Sequence, residues 1–190
     1  MTTPRPQRLA ARRARREKTL DVVPLSDTAL WFEARLCDSG TDLADGQNVD
    51  VIHELRLEGV VTLPDLTIRA IRGHADVQPY QHCALSLAPI ARLAGLSLTR
   101  GYRREVLAVM GGTLGCSHFL TLALELSGAK ILGVYLRMRP HLAYTVDARE
   151  DGRWTELALE VEPSLGGACL SLAEDSPIIA RARNRRAVGE

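Results

Sequence analysis

The chain has 190 residues, 46% of them hydrophobic but only 4% aromatic, so it can bury a sizeable core that must be built from Leu, Val, Ile and Ala. Its formal net charge of +1 hides basic ends on an acidic body, since residues 19–180 hold 13 basic against 21 acidic side chains. An acidic body repels phosphate, and no aromatic residue is interleaved with the N-terminal arginines, which argues against a nucleic-acid partner.

Residues 1–20 carry seven Arg or Lys and read as a disordered basic arm. They lack the apolar core of a secretory signal, and the longest apolar stretch, Phe119 to Leu136, is broken by Glu125 and Lys130. The expectation is a cytoplasmic protein with no membrane segment, whose Cys37, Cys83, Cys116 and Cys169 are reduced thiols. Thr28 to Cys37 alternates and predicts a strand, closed by a polar connection over 38–48. From Val49 to Val61 the period is two, with Val51, His53, Leu55 and Leu57 on one face. Leu63-Pro64-Asp65 makes a turn, and Leu66 to Val77 is a third strand.

The period then changes. Cys83 to Leu98 carries Leu87, Ile90, Leu93 and Ala94 at helical spacing, with Pro89 inside. Tyr102 to Met110 is a second helix, closed by Gly111-Gly112. Leu114 to Leu126 is a third that can run on to Met138, where Pro140 ends it. Segments at Tyr144-Thr145-Val146 and Glu156 to Glu162 fit either strand or helix, and Leu165 to Ala173 is a last apolar run. Strands first and helices after predict an α+β fold, an antiparallel sheet of three or more strands with helices on one face. The domain is expected over 21–178, with 179–190 as a basic tail.

The chemistry concentrates at two helix starts, Pro79-Tyr80-Gln81-His82-Cys83 and Gly112-Thr113-Leu114-Gly115-Cys116-Ser117-His118. The glycines permit a sharp entry, and a helix N-terminus lowers a thiol pKa, so Cys116 is a candidate thiolate. On an ideal helix His118 lies about 200° from Cys116, so the two meet only if the first turn is irregular. Cys116 with His118 or His82 as base would be a nucleophilic site; the plainer alternative is a core thiol and a surface imidazole. His53, between Val51 and Leu55, reads as a structural histidine. No dinucleotide fingerprint, phosphate loop, Cys-x-x-Cys, His-Glu-x-x-His or Gly-x-Ser-x-Gly is present, which lowers the weight of those chemistries.

The order Trp31-Phe32-Glu33-Ala34-Arg35-Leu36-Cys37-Asp38, Val51-Ile52-His53-Glu54, Gln78-Pro79-Tyr80-Gln81-His82-Cys83, Leu93-Ala94-Gly95-Leu96-Ser97-Leu98 and Gly115-Cys116-Ser117-His118-Phe119-Leu120 resembles the bacterial family labelled domain of unknown function 2889. The resemblance runs over roughly residues 25 to 175 and implies no activity. A second likeness, of topology, is to iron–sulfur scaffold proteins of the NifU type. It implies that Cys83 matches the middle cysteine, and Cys116 and His118 the last Cys/His element. The scaffold's first cysteine falls where this chain has Pro64-Asp65, and Ser117 separates Cys116 from His118. The implied site is a mononuclear zinc or iron centre of Cys83, Cys116 and His118, with Asp65 or Cys169 completing the shell. Such a site would bind a small molecule, or act on it in a lyase or hydrolase step. The alternatives are a non-catalytic metal or iron–sulfur carrier and a metal-free cysteine nucleophile. Substrate, metal identity and oligomeric state stay open at this level, as does catalysis itself.

Overall fold

The computed structural model describes residues 12–42, 49–99 and 101–188. Four long strands, β1 (Arg12–Ser26), β2 (Ala29–Asp42), β3 (Val49–Thr62) and β4 (Ile68–Val77), form one antiparallel sheet in the order β1-β2-β3-β4. With the helices that follow, this is the expected α+β fold. Strand alternation sends Phe32, Ala34 and Leu36 of β2 and Leu55 and Leu57 of β3 to one face, where all are buried. Leu20 and Val22 of β1 pack against the same core. Phe32 lies opposite Gly59, and its ring fills the space above that glycine: a Cβ there would sit 2.2 Å from the Ala70 carbonyl oxygen and 2.7 Å from Phe32 Cζ.

The expected basic arm is corrected over 12–20, which belong to β1. Leu20 pairs with Ala34 and Lys18 with Leu36, so a segment rich in arginine is held by backbone hydrogen bonds and by its few apolar side chains. Residues 1–11 lie outside the described part. The polar connection also starts later than expected: 38–42 continue β2, and 43–48 are not described.

Helices cover the apolar face. A 3₁₀ helix, Gln81–Leu93, takes the place of the expected α-helix; Pro89 inside it supplies no amide donor. Its Ile90 and Leu93 are buried. Helix α1 (Tyr102–Met110) closes at Gly111, and α2 (Ser117–Glu125) begins three residues later than the expected Leu114. The Tyr102 hydroxyl donates to the Ala123 carbonyl at 2.9 Å and ties α1 to α2. From α2 the chain runs through a 3₁₀ turn, Leu126–Gly128, into α3 (Ala129–Met138). Among the described residues this run, Ser117–Met138, is long and apolar enough by length and composition to cross a membrane, contrary to the sequence reading. Its Phe119, Leu122, Ala123, Leu126 and Ala129 are buried in the core over the sheet, and Glu125 pairs with Lys18 of β1.

The chain divides into two compact units, residues 1–129 and 130–190, where a single domain over 21–178 was expected. The physical reason is a second, separate core: Val134, Met138 and Leu165 gather Trp154, Leu157, Ala158 and Leu172 around them. This unit holds α4 (Val146–Glu150), α5 (Arg153–Val161) and α6 (Pro177–Val188). Of the ambiguous segments, Tyr144 and Thr145 lead into α4 at Val146, and Glu156 to Val161 is helix; the expected basic tail is helical from Pro177, with Ile179 and Ala182 buried.

Candidate metal centre

The apolar stripe of each strand ends in a polar residue that keeps the same parity. On β2 the buried series Phe32, Ala34, Leu36 continues to Asp38; on β3 the series Leu57, Leu55 continues to His53. Asp38 pairs directly with Arg16 on one side and with His53 on the other. Arg16, Asp38 and His53 therefore form a row across three strands on the helix-covered face. A bulge between Asp38 and Ser39 follows at once, a device that re-aims side chains at a sheet rim.

Helix α2 delivers the next member. Its N-cap, Cys116, has extended backbone (φ −88°, ψ 133°), so the first turn is not helical at the thiol. Cys116 Sγ accordingly reaches within 3.6 Å of His118 Nδ1 despite the unfavourable helical angle. The other nitrogen of His118, Nε2, points at Asp38 Oδ2 at 3.4 Å. His53 Nδ1 lies 3.2 Å from the same oxygen, and the two imidazole rings are 4.0 Å apart, centroid to centroid.

One carboxylate oxygen and two imidazole nitrogens thus lie within 4.8 Å of one another, a group able to hold a metal ion. Bonds of about 2.0–2.1 Å from a tetrahedral ion imply donor–donor edges of about 3.3 Å, close to the two distances measured to Asp38. His53 Nδ1 is buried and has no hydrogen-bond partner, because its contact with Asp38 lacks hydrogen-bond geometry. Arg16 holds the carboxylate with two bonds, Nε to Oδ1 at 2.6 Å and Nη2 to Oδ2 at 2.7 Å. That contact holds the Asp38 carboxyl below its ordinary range. Burial lowers the His118 pKa, helped by the neighbouring His53 and Arg16, and Asp38 opposes the shift. A depressed imidazole pKa keeps the ring neutral and available as a ligand.

Of the residues singled out by sequence, the centre contains only His118. Cys116 touches it from behind, on the nitrogen that faces away from Asp38. Cys83 is half-buried and lines a cavity of about 430 Å³ together with Cys116 and His82. His82 itself is exposed and stacks on Tyr80. Asp65 lies past the opposite end of β3 from His53, about 30 Å away at strand spacing. Its carboxylate is taken by the hydroxyls of Thr62 (2.8 Å) and Thr67 (2.6 Å), where it organises the turn into β4. Cys169 is exposed and belongs to the second unit. The structure thus brings Cys116 into contact with His118 and Cys83 into the cavity that Cys116 lines, leaves Asp65 at the far end of β3, and places Asp38 and His53 beside the other His118 nitrogen. Their signal was in the sequence as polar residues at core-parity positions, but Asp38 read as the start of a loop and His53 as a core histidine.

The model of the family described as "Protein of unknown function (DUF2889)" matches residues 14–131. The chain belongs to that family. The match ends within two residues of the boundary between the two compact units, so the family's shared part contains the sheet, α1, α2 and every residue of the Asp38, His53 and His118 group. No curated protein and no solved structure matches the chain.

Proposed function

We propose that the sheet unit binds a divalent metal through Asp38, His53 and His118 and uses it to hold a small anionic molecule. The observation that carries this reading is the buried, unpartnered His53 Nδ1, turned toward the carboxylate oxygen that His118 also faces. Two imidazoles and one carboxylate form a donor set suited to zinc or to non-haem iron, and three protein donors leave coordination positions free. Such an ion would act as a Lewis acid, the chemistry required of a lyase or hydrolase. Arg16 orients the Asp38 carboxylate, and its positive charge beside the ion favours an anion at the free position. The oxygen and nitrogen donors favour a mononuclear centre over an iron–sulfur carrier, whose ligands are mainly thiolates.

A second reading rests on the Cys116–His118 contact at 3.6 Å, with Cys116 lining a cavity, the arrangement of a cysteine nucleophile with its base. Elemental analysis of anaerobically purified protein separates the two. Near-stoichiometric zinc or iron, lost in both His53→Ala and His118→Ala but retained in Cys116→Ala, supports the metal centre. Metal-free protein that takes up neither ion on titration, and whose Cys116 is alkylated faster than a free thiol, sinks it in favour of the nucleophile.

A further inference from the structure

Two buried side-chain polar atoms among the described residues have no hydrogen-bond partner: His53 Nδ1 and Gln78 Oε1. The strand register brings them to the same place. Glu54 of β3 pairs with Val77, the last residue of β4, and the next residues toward this rim are His53 of β3 and Gln78, the first residue past β4. They also share a face. Glu54 turns away from the helices, where Arg35 Nη2 donates to it at 3.0 Å, and alternation turns its neighbour His53 toward the core. The ladder bulges here, since Leu55 pairs with Ala75 and Glu54 with Val77, so alternation restarts past Asp76: Val77 takes the orientation of its partner Glu54, and Gln78 that of His53. Neighbouring positions on one face of adjacent strands have Cβ atoms about 5 Å apart when directly opposed, within reach of an amide and an imidazole.

A buried polar atom left without a partner carries its full desolvation cost, and two of them at one rim share a simple remedy in a single cation between them. On this basis, and resting on the metal-centre reading above, we propose that Gln78 supplies the fourth protein donor, through its amide oxygen. The row then crosses the whole sheet: Arg16 on β1 braces the carboxylate, Asp38 on β2 and His53 on β3 are donors, and Gln78 closes the set just past β4. An amide oxygen is a hard, neutral donor. It completes the shell without cancelling the positive charge that attracts an anion, and it selects an ion tolerant of two oxygens and two nitrogens over one that demands thiolates.

The test is titration of the full chain with cobalt(II) under anaerobic conditions, followed by its visible absorption, for the wild type, Gln78→Leu, Gln78→Glu and His53→Ala. Gln78→Leu is expected to weaken cobalt binding at least about tenfold and to shift the visible band, while Gln78→Glu keeps or tightens binding with a shifted band. Gln78→Leu with wild-type affinity and an unchanged spectrum overturns the assignment. Should Gln78→Leu not fold, the band of Gln78→Glu decides, an unshifted band at unchanged affinity being the overturning result. Cobalt binding that is absent from the wild type, or unaffected in His53→Ala, refutes the metal centre itself, and the role of Gln78 with it.

Discussion

Asp38 and His53 are directly paired across β2 and β3, with Asp38 Oδ2 3.2 Å from His53 Nδ1, yet the nitrogen forms no hydrogen bond. Arg16 satisfies both carboxylate oxygens of Asp38, so the unmet demand of the pair lies on His53 Nδ1. Asp38→Asn keeps the shape and removes the charge, while the amide can still accept from Arg16. It is expected to weaken zinc binding by about 10–100-fold with little change in folding, read by competition with a chromophoric chelator and by circular dichroism. Wild-type zinc affinity in this variant would exclude Asp38 as a ligand.

The site's pH dependence follows from its two shifted groups, His118 and Asp38. His118 is depressed from 6.5, so the folded protein resists a proton that the unfolded chain accepts. Its contribution to stability is complete above the unfolded value and is lost as pH falls through the folded one. Asp38, also depressed, behaves in the same sense in the more acidic window below 3.8. NMR titration of the apoprotein should find the His118 midpoint below 6.5. In Arg16→Gln the Asp38 midpoint should rise toward 3.8, because the bond that lowers it is gone. An Asp38 midpoint that does not move would mean that Arg16 is not its partner in solution.

Cys116 contacts His118 Nδ1 and leaves Nε2 free to face Asp38. Cys116→Ala should therefore retain metal, with affinity reduced by about tenfold through loss of ring orientation. Complete loss of metal in a folded Cys116→Ala protein would restore the thiol as a ligand.

Gly59 has no room for a side chain. Gly59→Ala sets a methyl group against the Ala70 carbonyl and the Phe32 ring and should destabilise the sheet unit by about 3 kcal/mol in urea denaturation. Gly73→Ala meets side-chain tips rather than backbone, the Cδ1 and Cγ1 of Ile90 and the Cδ2 of Leu87, and should cost less. Equal losses would show that the core near Gly59 relaxes more readily than this packing implies.

Tyr102→Phe removes the hydroxyl that joins α1 to the Ala123 carbonyl of α2. A loss of about 1 kcal/mol is expected in the same assay, the net value of one buried hydrogen bond. Burial already pushes the Tyr102 phenol well above its usual pKa, so its ionisation should stay silent in an alkaline spectrophotometric titration until the protein unfolds.

Local periodicity by itself determined the α+β class, three of the four strands, the helix over Tyr102–Met110 and the continuation from α2 to Met138, because side-chain alternation and helical spacing are properties of neighbouring residues. It also singled out His118, through the glycines that precede Cys116. β1 was hidden because its charge outweighed a weak alternation that only pairing with β2 makes structural. The centre was hidden for a related reason. Asp38, His53 and His118 are 15 and 65 residues apart along the chain, and no spacing rule joins them. Strand register puts the first two side by side, and helix packing lowers the third onto them. That meeting is a property of the tertiary structure, in which backbone hydrogen bonds fix the row and burial of α2 on the sheet fixes the distance.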